Sequence, residues 1–111
     1  MTNGPDYASD FTTLVELLKI YEDEGYTGNF GAREEASVIC FACHHLTPAR
    51  EVSLEAMRRT EGASDPADMA VVAAITCPHC GQRGTLVMHY GAEATPEEDE
   101  VLRDLEDRRE R

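Results

Sequence analysis

The chain has 111 residues, 41% of them hydrophobic, with 22 acidic against 10 basic side chains and a formal net charge of −12. That length suits one small domain, and the absence of any run of about 18 apolar residues excludes a membrane-spanning helix. The acidic excess disfavours direct nucleic-acid binding, which rests largely on cations that displace counterions, and is read as serving solubility.

The charge sits at the ends: residues 1–27 hold six acids and one base, residues 93–111 nine and four, and residues 28–92 seven and five. Arg50, Arg58, Arg59 and Arg83 are where a local basic patch could form. The opening MTNGPDYASD has neither a basic start nor an apolar run, so the expected location is cytoplasmic, with residues 1–9 disordered.

Asp10 can cap a first helix in which Phe11, Leu14, Val15, Leu18 and Tyr21 recur at helical spacing, ending before Gly25. Residues 26–36 mix glycine and charge, and read as a turn with a short strand leading into Ser37-Val38-Ile39-Cys40. Thr47-Pro48 resembles a cap with a first-turn proline, which predicts one helical turn at Ala49 to Glu51. Val52, Leu54 and Ala56 alternate with polar residues as a half-buried strand does, although good helix formers abound there. EGASDPAD, residues 61–68, is dense in turn formers. Met69 to Thr76 and Thr85 to Tyr90 predict a hairpin with CPHCGQRG at its tip. Thr95, Pro96 and Glu98 spell a helix start, followed by a thin apolar stripe of Val101, Leu102 and Leu105 that suits a lightly docked helix.

Cys40-Phe41-Ala42-Cys43 and Cys77-Pro78-His79-Cys80 lie 33 residues apart, each after a β-prone run and before a turn. Two residues between thiolates let one tight turn aim both sulfurs at one ion, with Gly81 suited to the unusual backbone angles beyond the second pair. In a reducing cytosol this spacing reads as a zinc site, with Cys40, Cys43, Cys77 and Cys80 as its four ligands and one structural Zn2+ per chain. Two such zinc knuckles fill a tetrahedron and leave no position for substrate.

Other chemistries fit less well. Cys40 to His44 matches the haem c attachment pattern, but that leaves the second pair unexplained. Cys77 to Cys80 has the composition of a dithiol redox site, yet a β run follows it where such a site needs a helix N-terminus. An iron–sulfur cluster also uses four cysteines. His44, His45, His79 and His89 read as turn or strand residues, and Glu61, Asp65 and Asp68 as backbone caps within their loop.

Glu24-Gly25-Tyr26-Thr27, Arg59 through Met69 (RTEGASDPADM), Gly84-Thr85-Leu86-Val87 and Tyr90-Gly91 resemble stretches of a family of small, uncharacterised bacterial proteins. The likeness spans about Gly25 to Leu105. Some relatives carry the cysteine pairs and others lack them, which implies a metal that stabilises the fold and is not the seat of a shared chemistry. Members are sometimes labelled phosphoribosylpyrophosphate synthetases, but this chain is too short for that enzyme and has no recognisable pyrophosphate-binding loop. Relatives tend to be more β-like where this chain has Val52 to Arg59, which tips that segment toward a strand.

The expected fold is α+β: an N-terminal helix on an antiparallel sheet of about four strands, a zinc-ribbon-like clasp, and a peripheral acidic helix over residues 93–111 beside a domain at 10–92. The expected function is a non-enzymatic protein-interaction module with an unidentified protein partner and no membrane or direct nucleic-acid contact. Alternatives are a zinc or thiol redox sensor, or a small enzyme with a pocket near residues 61–68, Arg58, Arg59 and His89.

Overall fold

The computed structural model describes residues 13–60, 69–91 and 94–109. Helix α1 spans Leu14–Asp23, followed by β1 (Gly28–Arg33), β2 (Ser37–Cys40), β3 (Leu46–Pro48), a 3-10 turn at Ala49–Glu51, β4 (Ser53–Arg59), β5 (Ala70–Thr76), β6 (Arg83–His89) and helix α2 (Pro96–Arg109).

Thr13 starts α1: its hydroxyl accepts from the Glu16 N–H at 3.2 Å, and the Glu16 carboxylate accepts from the Thr13 N–H at 2.9 Å. This reciprocal pair satisfies two donors that a helix N-terminus otherwise leaves open. The expected cap at Asp10, with Phe11 and the N-terminal segment 1–9, lies outside the described residues. The helix ends at Gly25, whose φ of 103° suits glycine. There the Tyr26 N–H reaches the Tyr21 carbonyl at 2.9 Å and the Gly25 N–H reaches that of Glu22 at 3.0 Å. Tyr26 packs edge-on against Tyr21, the apolar contact that accompanies this type of helix end.

The sheet has six strands in the order β3-β2-β1-β6-β5-β4, larger than the four expected. It is also mixed, because β1 runs parallel to β6 while every other pair is antiparallel. Strand β3 was not expected, and the short strand expected between residues 26 and 40 is two strands, β1 and β2, paired antiparallel. In β1, glycines mask the β signal but permit a close approach: a Cβ at Gly84 would lie 2.4 Å from the Gly28 carbonyl carbon and oxygen. Strand β3 is three residues long and ends in Pro48, which tolerates an edge position.

Strand β5 is the centre of the core, and its alternation divides two layers. Val71, Ala73 and Ile75 join Leu86, Met88 and α2, whereas Val72 and Ala74 join Leu17 and Tyr21 of α1. Leu17, which the expected apolar stripe omitted, is 1% exposed, while Val15, which it included, is 74% exposed. Each residue turns a helix by about 100°, so Leu14, Leu17, Leu18 and Tyr21 form one stripe and Val15 falls beside it.

Two further expectations are corrected. Helix α2 is part of the main core: Val101 and Leu105 are fully buried and Leu102 is 7% exposed. Its Thr95 start is as expected, with the Glu98 N–H donating to the Thr95 hydroxyl at 3.1 Å and the Thr95 N–H to the Glu98 carboxylate at 2.9 Å. In β4 a register shift between Leu54 and Ala56 breaks the simple alternation. Leu54 and Met57 then serve the α2 side and Ala56 the α1 side.

Candidate metal centre

The two cysteine turns are built alike. The Cys40 carbonyl accepts from the His44 N–H at 2.7 Å and the Cys40 N–H donates to the His45 carbonyl at 3.1 Å. Likewise the Cys77 carbonyl accepts from the Gly81 N–H at 2.9 Å and the Cys77 N–H donates to the Gln82 carbonyl at 2.9 Å. The residue that closes each turn is left-handed, Gly81 at φ 79° and His44 at φ 65°. Gly81 thus does what its position suggests, and His44 does the same work against the steric cost of a side chain.

Strands β2 and β5 deliver the first cysteine of each pair, and the sheet brings the turns together. The four cysteines are free thiols, and their Sγ atoms all lie within 4.8 Å of one another. Cys40 Sγ is 3.7 Å from Cys80 Sγ, and Cys43 Sγ is 3.7 Å from Cys77 Sγ. Four sulfurs placed tetrahedrally at about 2.3 Å from one ion have edges of about 3.8 Å, so these spacings fit a single thiolate-bound metal ion. The group is positioned to bind a metal ion. Cys40 and Cys77 are each 2% exposed and Cys80 is exposed, so the centre is anchored inside and reaches the surface at one corner.

The thiols differ in acidity. Burial opposes ionisation of Cys77, but N–H groups at Cys80 and His79 and the neighbouring thiols outweigh it and bring its pKa down to about 7. The His79 N–H lies 3.4 Å from Cys77 Sγ. At Cys43 the N–H of His45 favours the thiolate, yet burial and the three other sulfurs push the pKa up to about 12. Four sulfurs this close cannot all ionise without a cation among them.

Comparison with family models, curated proteins and solved structures finds no match to this chain.

Among the described residues the metal-binding group consists of these four cysteines and no histidine. The rings of His45 and His79, one from each turn, stack with centroids 4.5 Å apart and planes 18° apart, which ties the turns together outside the thiol cluster. His89 Nδ1 lies 3.2 Å from Glu98 Oε2 at the start of α2.

Arg59 and Arg83 do not share one patch. Arg59 lies over the Tyr90 ring and pairs with Glu106, whereas Arg83, at the opposite end of the β5–β6 hairpin, lies 4.2 Å over the Tyr26 ring. Glu61, Asp65 and Asp68, with the enzyme pocket expected around them, lie outside the described residues. His89 and Arg59, assigned to that pocket, are both held by carboxylates of α2.

A polar cluster that the sequence did not announce lies at the Arg83 end. The Glu55 carboxylate accepts from the Tyr26 hydroxyl at 2.6 Å and from the Thr76 hydroxyl at 2.7 Å, with Arg83 3.9 Å away. The Tyr26 bond is the largest influence, with Thr76 next, and together they hold the Glu55 pKa below its ordinary value against slight desolvation. These residues come from separate elements, so no local spacing could have linked them.

Proposed function

We propose that the four cysteines hold one structural zinc ion and that the protein works in the cytoplasm as a non-enzymatic module contacting another protein. The observation that carries the metal reading is the pair of 3.7 Å cross-turn sulfur contacts within a group 4.8 Å wide. A tetrahedral four-sulfur shell suits zinc, and its compactness favours one ion over a multinuclear iron–sulfur cluster whose thiolates sit on different irons. With all four positions taken by protein there is no site for a substrate or an activated water, which favours a structural role. Haem attachment through Cys40 and Cys43 is disfavoured because both thiols belong to the four-sulfur group.

Membership of the small bacterial family is part of the same reading. Two of the resembling stretches begin around glycines that this fold uses, Gly25 at its positive φ and Gly84 against Gly28.

The exposure of Cys80 favours a second reading, release of zinc on thiol oxidation. One experiment separates the two. Chelator is expected to lower the melting temperature and the circular dichroism of the loaded protein, because structural metal sites couple binding to folding. Slow alkylation of the loaded protein is the structural outcome and rapid alkylation at Cys80 the sensor outcome. A melt unchanged by chelator contradicts both.

A further inference from the structure

Neither described helix covers the outer face of β1, β2 and β3, since α1 packs over β5 and β6 and α2 lies on the other side of the sheet. On that face Ile39 is half-buried and Leu46, its partner in register, is 58% exposed. They floor a groove of about 790 Å³ that runs between the β1–β2 turn and the start of α2. Phe41, 45% exposed, extends the apolar surface toward the metal centre.

The rim of the groove has one sign of charge. Glu34, Glu35, Glu97 and Glu98 line it against a single cation, Arg33. Arg33 is engaged, donating to the Ala32 carbonyl at 2.9 Å with its guanidinium 5.6 Å from the Phe41 ring centre. Glu98 is engaged too, by Thr95 and His89. Among the described residues, the carboxylates of Glu34, Glu35 and Glu97 have no cation within ion-pair distance. An anionic occupant is repelled here, and so is a second copy of a chain that carries a net charge of −12.

We propose that this groove seats an extended segment of a partner protein rich in arginine or lysine, with an apolar side chain on Ile39 and Leu46 and flanking cations at Glu34, Glu35 and Glu97. The apolar contact supplies the burial on which affinity depends, and the carboxylates select the sign and steer the encounter. This assignment rests on the reading of the chain as a protein-binding module and names the surface and the partner chemistry.

The test is fluorescence anisotropy of the full-length, zinc-loaded protein with a fluorescein-labelled Gly-Lys-Leu-Arg-Leu-Lys-Gly peptide. Two control peptides have glutamate for the cations or serine for the leucines. The basic apolar peptide is expected to bind about tenfold or more tightly than either control, and more weakly as salt rises. Leu46→Ser and the double variant Glu34→Lys with Glu97→Lys, each checked for an unchanged fold by amide NMR, are expected to weaken it about tenfold. Amide shifts on peptide addition should fall on β1–β3 and the start of α2. Equal binding of all three peptides, insensitivity to both variants, or shifts elsewhere overturn the proposal, as does a dimer in solution that Leu46→Ser dissolves. Zinc content measured on the same samples separates the claims: loaded, folded protein that ignores the peptide defeats the groove assignment alone, whereas protein folded without metal defeats the structural-zinc reading.

Discussion

Replacing Leu105 by alanine tests whether α2 belongs to the core. Leu105 is fully buried, with Val101 and Leu102 beside it in the cluster that includes Leu86, Met88 and Ile75. Truncating a buried leucine removes its transfer free energy and leaves a cavity, at a cost of about 2.7–5 kcal/mol. Domains of this size are stable by only about 5–15 kcal/mol, so Leu105→Ala removes a large fraction of the total. With an unfolding entropy of about 2.1 cal/mol/K per residue, a loss of about 3 kcal/mol lowers the Tm of this chain by roughly 13 °C. Val15→Ala is the control, since Val15 is 74% exposed and its truncation should cost no more than about 0.5 kcal/mol. Thermal and urea melts of both variants, loaded with the same metal, provide the comparison. If Leu105→Ala melts within about 2 °C of Val15→Ala, α2 is a peripheral helix and the packing argument is wrong.

Gly84→Ala should be much more damaging than Gly81→Ala: a Cβ at Gly84 meets the Gly28 backbone at 2.4 Å, whereas at Gly81 nothing lies within 4 Å and only the φ of 79° is strained. The first should separate β1 from β6 and fail to give native amide NMR dispersion, and the second should cost about 1–2 kcal/mol in a urea melt. His44→Gly should leave stability nearly unchanged and His44→Val should lower it by about 1–2 kcal/mol, both with full metal content, because His44 shapes the turn and supplies no ligand. Acid should destabilise the protein through Glu55, whose folded pKa is lowered first by the Tyr26 and then by the Thr76 hydroxyl bond. A lowered folded pKa gives stability that is fully present above the unfolded value of about 4.3 and lost as pH falls through the folded one, so Glu55→Gln should flatten that limb in melts from pH 6 to about 3.

Much of the site was legible because its signals are local. Each cysteine pair lies within four residues, the β5–β6 hairpin is two apolar runs around one turn, and the Thr95 start is written in Thr95, Pro96 and Glu98. What escaped depends on distant partners. A short strand was expected within residues 26–36, but the extent of β1, GNFGAR, and its parallel pairing with β6, Gly28 against Gly84, were not, because its β propensity is poor and its partner is distant in sequence. Helix α2 shows only three apolar residues, and their full weight comes from the curled sheet they cover. The bulge in β4 moves Ala56 to the opposite layer from Leu54, which strict alternation cannot anticipate. Both cysteine turns were legible, but the left-handed residue that closes them was marked only at Gly81, because His44 does the same work without being a glycine. The stacking of His45 on His79 and the acidic groove around Leu46 arise only when separate elements meet.

Native mass spectrometry of the untagged chain, with its denatured mass and elemental analysis, tests the metal centre most directly. One zinc ion per folded chain with Cys40, Cys43, Cys77 and Cys80 all reduced is the expected result, and a folded chain that carries no metal, holds iron, or has joined any of these cysteines in a disulfide would contradict it.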